Sequence, residues 1–217
     1  PHTATWLAWP HESSDWPGKF PLIPWLYCDI VRHLSQVERV RILVDNEQAG
    51  ERVRRMLCKC HAILDAVDFF VCPTDRSWVR DTMGVFVHND AGRTEITNWR
   101  FNAWAKYPNY TLDDKVPAFA AKRLKVAQHQ PVLGKRRIVL EGGSIEVNGA
   151  GLMLTTEECL LSDIQARNPG LGREEIEAVF AQYLGITKTL WLTTASPATI
   201  HMATLTIWPA SPASGPS

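Results

Sequence analysis

Short runs of β-favouring residues alternate along this chain with longer helical stretches, and that alternation restricts it to the α/β class. Residues 4–9, 40–44 and 67–71 read as strands, with helices over 25–34 and 47–57 between them. Asn46 stands where it can cap the second helix. Residues 10–24 carry four prolines, which break regular structure. Further on, 85–88 and 94–99 read as a hairpin through Asn89-Asp90-Ala91-Gly92. Residues 113–124 read as a helix that admits Pro117 only in its first turn. Residues 137–140, 144–147 and 152–155 read as strands, with Asn148-Gly149 a tight-turn signal between the last two. Residues 173–184 predict an amphipathic helix with Ile176, Val179, Phe180 and Leu184 on one face, and 189–192 open another strand. The recurring unit is strands, helix, strand. Taken alone, it suggests a doubly wound sheet.

Composition narrows the class of function. The 217 residues, 45% apolar, suffice for one sizeable core or two small domains. Basic and acidic residues balance at 23 each, and no basic block of the nucleic-acid-binding kind occurs. Lys135-Arg136-Arg137 reads as a solvated strand entrance. The absence of a long apolar run argues against a membrane span and a signal peptide, so the cytoplasm is the expected location. Cys28, Cys58, Cys60, Cys72 and Cys159 are odd in number and irregularly spaced, unlike a disulfide framework. Cys58-x-Cys60-His61 has no second ligand pair at zinc-finger distance and reads as structural, as does Cys159. Beyond Leu192 there is no Asp, Glu, Lys or Arg, and prolines, serines, alanines and threonines dominate. The expected organisation is a folded unit over 1–192 and an aberrant, disordered tail over 193–217.

Four segments set polar groups beside tryptophan: T-W-L-A-W-P-H at 5–11 with D-W-P-G-K at 15–19, D-R-S-W-V-R-D at 75–81, F-N-A-W-A-K-Y at 101–107, and E-G-G-S-I-E-V-N-G at 141–149. A carboxylate beside indole rings suits a planar cation. It accepts paired hydrogen bonds while a ring face adds cation–π attraction, and a guanidinium fits that description. Asp81 and Glu141 are the candidate carboxylates, the latter where a strand meets paired glycines that permit a sharp turn or a close approach. Plain structural roles stand beside these. Asp81 could pair with Arg76 or Arg80, Glu141 could close a turn, and Trp6, Trp9, Trp16 and Trp25 could be core aromatics.

Jointly these motifs resemble the agmatine deiminase and bacterial peptidylarginine deiminase family, almost continuously over residues 4–192. The resemblance implies a pentein fold, a propeller of five strand-and-helix modules around a central site. It implies hydrolysis of a guanidinium to a ureido group with release of ammonia, without a metal or organic cofactor. For agmatine the product is N-carbamoylputrescine, on a route to putrescine. In that scheme a Cys thiolate attacks the guanidinium carbon, a His is general acid and base, two Asp hold the nitrogens and a Glu supports the His. Matched by motif, Asp81 is the first guanidinium-binding carboxylate and Glu141 orients the His. Trp78 packs along the substrate and Arg80 lies beside the site, with Asn102 and Lys106 weaker candidates. The implied partner is the small molecule agmatine, with no nucleic acid and no membrane, and with homo-oligomerisation open. A peptidyl arginine is the second substrate the family suggests.

The sequence departs from the family after Leu192, where a His-x-Asp motif is expected, and none of the five cysteines has the Gly-rich context of the nucleophile. Back-translation across 197–211, read from the third base of each codon, permits G-D-D-T-H-G-H-V-D-D-L-A-R-F, which contains the motif. The expectation is therefore a frameshifted, truncated chain that binds substrate with little or no turnover.

Overall fold

A computed structural model describes residues 3–193. Strands β1 (Ala4–Ala8), β2 (Arg39–Val44) and β3 (Val67–Val71) form a wholly parallel sheet in that order. Parallel neighbours need crossovers, and helices α1 (Ile23–Leu34) and α2 (Glu47–Lys59) supply them. The Asn46 side chain accepts from the Ala49 amide at 2.9 Å and so starts α2 as the sequence predicts. Helix α1 begins two residues earlier than expected, because Pro24 falls in its first turn, where the missing N–H costs no hydrogen bond. Val40 and Ile42 pack with Cys28, Val31, Val53 and Leu57 under these helices.

After the short helix α3 (Val79–Thr82), β4 (Val85–His88) and β5 (Thr94–Thr97) form the expected antiparallel hairpin. Helix α4 (Val116–Leu124) then returns the chain to β6 (Gln128–His129), parallel to β5. Pro117 lies in the first turn of α4, as predicted. A two-residue hairpin, β7 (Val132–Leu133) and β8 (Arg136–Arg137), follows. The third sheet repeats the plan of the second. Strands β9 (Ile145–Val147) and β10 (Leu152–Thr156) are antiparallel, and after α5 (Glu157–Leu160) and α6 (Arg173–Leu184) strand β11 (Lys188–Leu192) runs parallel to β10. Three separate three-stranded sheets therefore replace the single doubly wound sheet that alternation alone suggests. No helix among the described residues is long and apolar enough to cross a membrane. The tail over 194–217 lies outside the described residues.

The strand expected over 137–140 is mostly absent. Ile138, Val139 and Leu140 are buried, but beyond β8 only Val139 makes a bridge, to Arg100. The Asn168 side chain takes the place of a neighbouring strand: it accepts from the Val139 amide at 3.0 Å and donates to its carbonyl at 2.8 Å. The apolar run reports burial, which a strand and an Asn-bracketed extended segment share. Likewise Ser144, expected to open a strand, ends a 3-10 turn over Gly142–Ser144, and β9 starts at Ile145.

Phe180 on α6 is fully buried and meets Trp99 edge-on, ring centroids 6.2 Å apart. Phe180→Ala is expected to cost about 3–5 kcal/mol in urea unfolding, because a cavity is added to the lost transfer energy. A loss under about 1 kcal/mol would contradict this packing.

Candidate active site

Asp81 sits on α3, just past β3, and is buried. Its Oδ1 accepts from the Gly143 amide at 3.0 Å and its Oδ2 from Trp104 Nε1 at 3.1 Å. A carboxylate has about four lone-pair sites, so roughly two remain for a ligand. Burial, then the charge of Glu141, push the Asp81 carboxyl up to about 6, against the lowering effect of the Trp104 and Gly143 hydrogen bonds.

Glu141 is 2% exposed. Its Oε1 accepts from Arg167 Nε at 3.0 Å, while its Oε2 is buried with no partner among the described residues. Burial raises its pKa, and the Arg167 guanidinium opposes that rise. The turn-closing role belongs to its main chain, since its carbonyl accepts from the Ser144 amide and hydroxyl while its side chain points to Arg167.

The backbone that delivers these groups is unusual in two places. Ala103, Trp104 and Ala105 are consecutively left-handed, with φ of 50°, 58° and 52°. Such residues cost roughly 1–2 kcal/mol each. The Asn102 side chain steadies the turn by accepting from the Ala105 amide at 3.0 Å, and the turn carries the Trp104 indole to Asp81. At Gly142 a Cβ would run into the carbonyl oxygen of Arg80, so glycine permits the two main chains to approach.

Trp78 and Arg80 belong to the surroundings of this pair. Trp78 donates its indole N–H to Asp15 at 3.0 Å and meets Trp16 at a tilt of 37°, ring centroids 5.2 Å apart. Arg80 is exposed and pairs with Glu146 at 3.2 Å. Both line a cavity of about 500 Å³ with Gly142, Tyr27 and Trp6, in whose wall neither Asp81 nor Glu141 appears. The alternative ion pairs of Asp81 are not made: Arg76 pairs with Asp15, stacks over Tyr107 at 4.1 Å and leaves Asp81 to its neutral donors. Nor are all the tryptophans core, since Trp25 is 52% exposed. Asn102 and Lys106 line a different cleft, with Arg167.

Sequence reading missed Trp104 and Arg167. Trp104 lay inside a quoted motif, but nothing local says that its indole reaches Asp81. Arg167 carried no signal of its own.

A mixed α/β scaffold that brings these motifs together is that of a family of hydrolases acting on amidine-type carbon–nitrogen bonds. The chain belongs to the Porphyromonas-type peptidyl-arginine deiminase family, whose sequence pattern matches residues 1–210. It is 34% identical over 197 residues to the agmatine deiminase of Ectopseudomonas mendocina, covering 88% of this chain and 50% of that protein. It superposes on the agmatine deiminase of Enterococcus faecalis with a TM-score of 0.76 at 32% identity, covering 89% of this chain and 51% of that one. With a substrate-bound C. jejuni agmatine deiminase bearing a cysteine-to-serine substitution the TM-score is 0.73 at 28% identity, over 88% and 53% of the two chains. The chain thus spans about half the length of the relatives it matches.

Two outcomes follow from the geometry. Gly142→Ala should destabilise the chain by about 1–3 kcal/mol in denaturant unfolding, since Arg80 or the turn must shift. Asp81 holds its proton more tightly folded, near 6, than unfolded, near 3.8. Its contribution to stability is therefore present below about pH 4 and is lost as pH rises to about 6. Parent stability relative to Asp81→Asn should decline across that window and then level. A flat difference from pH 3.5 to 7 would contradict the assigned burial and charge coupling.

Proposed function

We propose that the intact protein is an agmatine deiminase. Water replaces one nitrogen at the guanidinium carbon of agmatine, giving the ureido product N-carbamoylputrescine and ammonia. The observation that carries this reading is the buried pair Asp81 and Glu141, one neutral-donor-bound carboxylate with open lone pairs and one carboxylate with an orphaned buried oxygen. A bound guanidinium would supply Asp81 with N–H donors and a positive charge in a low-dielectric setting, which offsets the burial that disfavours its ionised form. Glu141, held by Arg167, keeps Oε2 for the imidazole that the family scheme places there. Trp78 shapes the approach and is itself aimed by Asp15, and Arg80 borders it from the solvent side.

In this reading the second and third sheets, each a hairpin, a helix and a parallel strand, are two modules of a five-module propeller. Residues 1–192 form the family unit and 193–217 an aberrant tail. The setting is the cytoplasm. The reading calls on no metal or organic cofactor. The family's other substrate, a peptidyl arginine, is the competing assignment.

Calorimetric titration of agmatine into the chain tests both. Binding is expected, about 10- to 100-fold weaker in Asp81→Asn, the loss of one or two charged hydrogen bonds. It should also weaken as pH falls below about 6, where Asp81 takes up its proton. A peptide ending in arginine that binds while agmatine does not would transfer the assignment to peptidyl arginine. Undiminished agmatine binding by Asp81→Asn would remove Asp81 from the guanidinium contact.

A further inference from the structure

The chain has zero formal net charge, yet Arg100, Lys106, Arg136, Arg137 and Arg167 all line one cleft of about 530 Å³ whose wall contains no carboxylate. Two of the five are neutralised from behind the wall, Arg137 by Asp114 at 2.7 Å and Arg167 by Glu141 at 3.0 Å. Among the described residues no carboxylate pairs with Arg100, Lys106 or Arg136. Gathering like charges in a concave, partly desolvated place costs free energy and raises the local concentration of counter-ions.

Two of the guanidiniums are also fixed in advance. Arg136 Nη1 donates to the Pro169 carbonyl at 2.7 Å, and Arg167 is held both at Glu141 and by the Gln165 carbonyl at 2.9 Å. Each has further N–H donors beyond these anchors. Arg137 Nε is buried without a partner among the described residues.

We propose that this cleft binds a small oxyanion of the phosphate class. Forked guanidinium donors match a phosphate or phosphomonoester bidentately, and immobilised donors lose little entropy on binding. The volume is that of a small-molecule site, and the sequence holds no basic block of the nucleic-acid-binding kind. A cationic guanidinium is repelled here, so the cleft is a separate site from Asp81. Arg167 lines the cleft and holds Glu141, so an anion in the cleft draws on the same guanidinium that binds Glu141.

The test is calorimetric titration of inorganic phosphate into the chain at fixed ionic strength, with phenyl phosphate and acetate as parallel arms. Saturable phosphate binding is expected. Arg100→Gln and Arg136→Gln should each weaken it about five- to tenfold and the double variant should abolish it, with unchanged melting temperatures reporting intact folds. Arg54→Gln, on α2 and outside the cleft, should bind as the parent does. Phenyl phosphate matching phosphate assigns the site to phosphomonoesters, and phosphate binding alone assigns it to the free ion, either result upholding the oxyanion class. A non-saturating response, equal weakening by Arg54→Gln, or acetate binding as tightly as phosphate would overturn the proposal. None of these readouts requires deiminase activity.

Discussion

The architecture converges on one buried carboxylate. Asp81 follows the first sheet, Trp104 follows the hairpin of the second, and Gly143 precedes the first strand of the third. The two hydrogen bonds on Asp81 therefore join segments that leave three different sheets. Removing a carboxylate from water costs several kcal/mol unless fixed donors replace the lost hydration. Here the donors are an indole and a main-chain amide, both neutral, so the site satisfies the oxygens without cancelling the charge. Under the proposed function, that state leaves Asp81 able to receive a cation.

Other aspartates hold the loops that carry this one. Asp113 Oδ1 accepts from the Asp75 amide at 2.8 Å, and Asp75 Oδ2 accepts from the Leu112 amide at 2.7 Å, so the two side chains clasp each other's main chain. Burial pushes the Asp113 carboxyl up to about 7, and its second oxygen has no partner among the described residues. Asp15 binds both Arg76 and Trp78, which locks the D-R-S-W segment against the first loop. The left-handed turn at Ala103–Ala105 is the converse case, strain retained because Asn102 and Asp81 together over-determine it.

Electrostatically the molecule divides its charge unevenly around this point. Two carboxylates lie buried and close enough for one to raise the other's pKa, while cations without carboxylate partners gather in the cleft that Arg167 shares. Arg167 is thus the residue common to the basic cleft and to Glu141.

Local chemistry fixed much of this protein in its sequence: the Asn46 cap, the Pro117 position, the Asn89–Gly92 turn and the apolar face of α6 rest on interactions within a few residues, and each leaves a periodic or positional trace. Asp81, Glu141, Trp78 and Arg80 stood out for the same reason, as unusual residue types beside tryptophan and glycine. Tertiary structure alone decided what each one meets. Asp81 and Gly143 are 62 positions apart, Glu141 and Arg167 are 26 apart, and Asn168 brackets Val139 from 29 away. Contacts at such separations obey no period along the chain. They also replaced the expected strand at 137–140 and turned Arg136 and Arg137, read as a solvated strand entrance, into the wall of a cleft. A side chain's partner depends on where three independently formed sheets come to rest, and no local pattern encodes that distance.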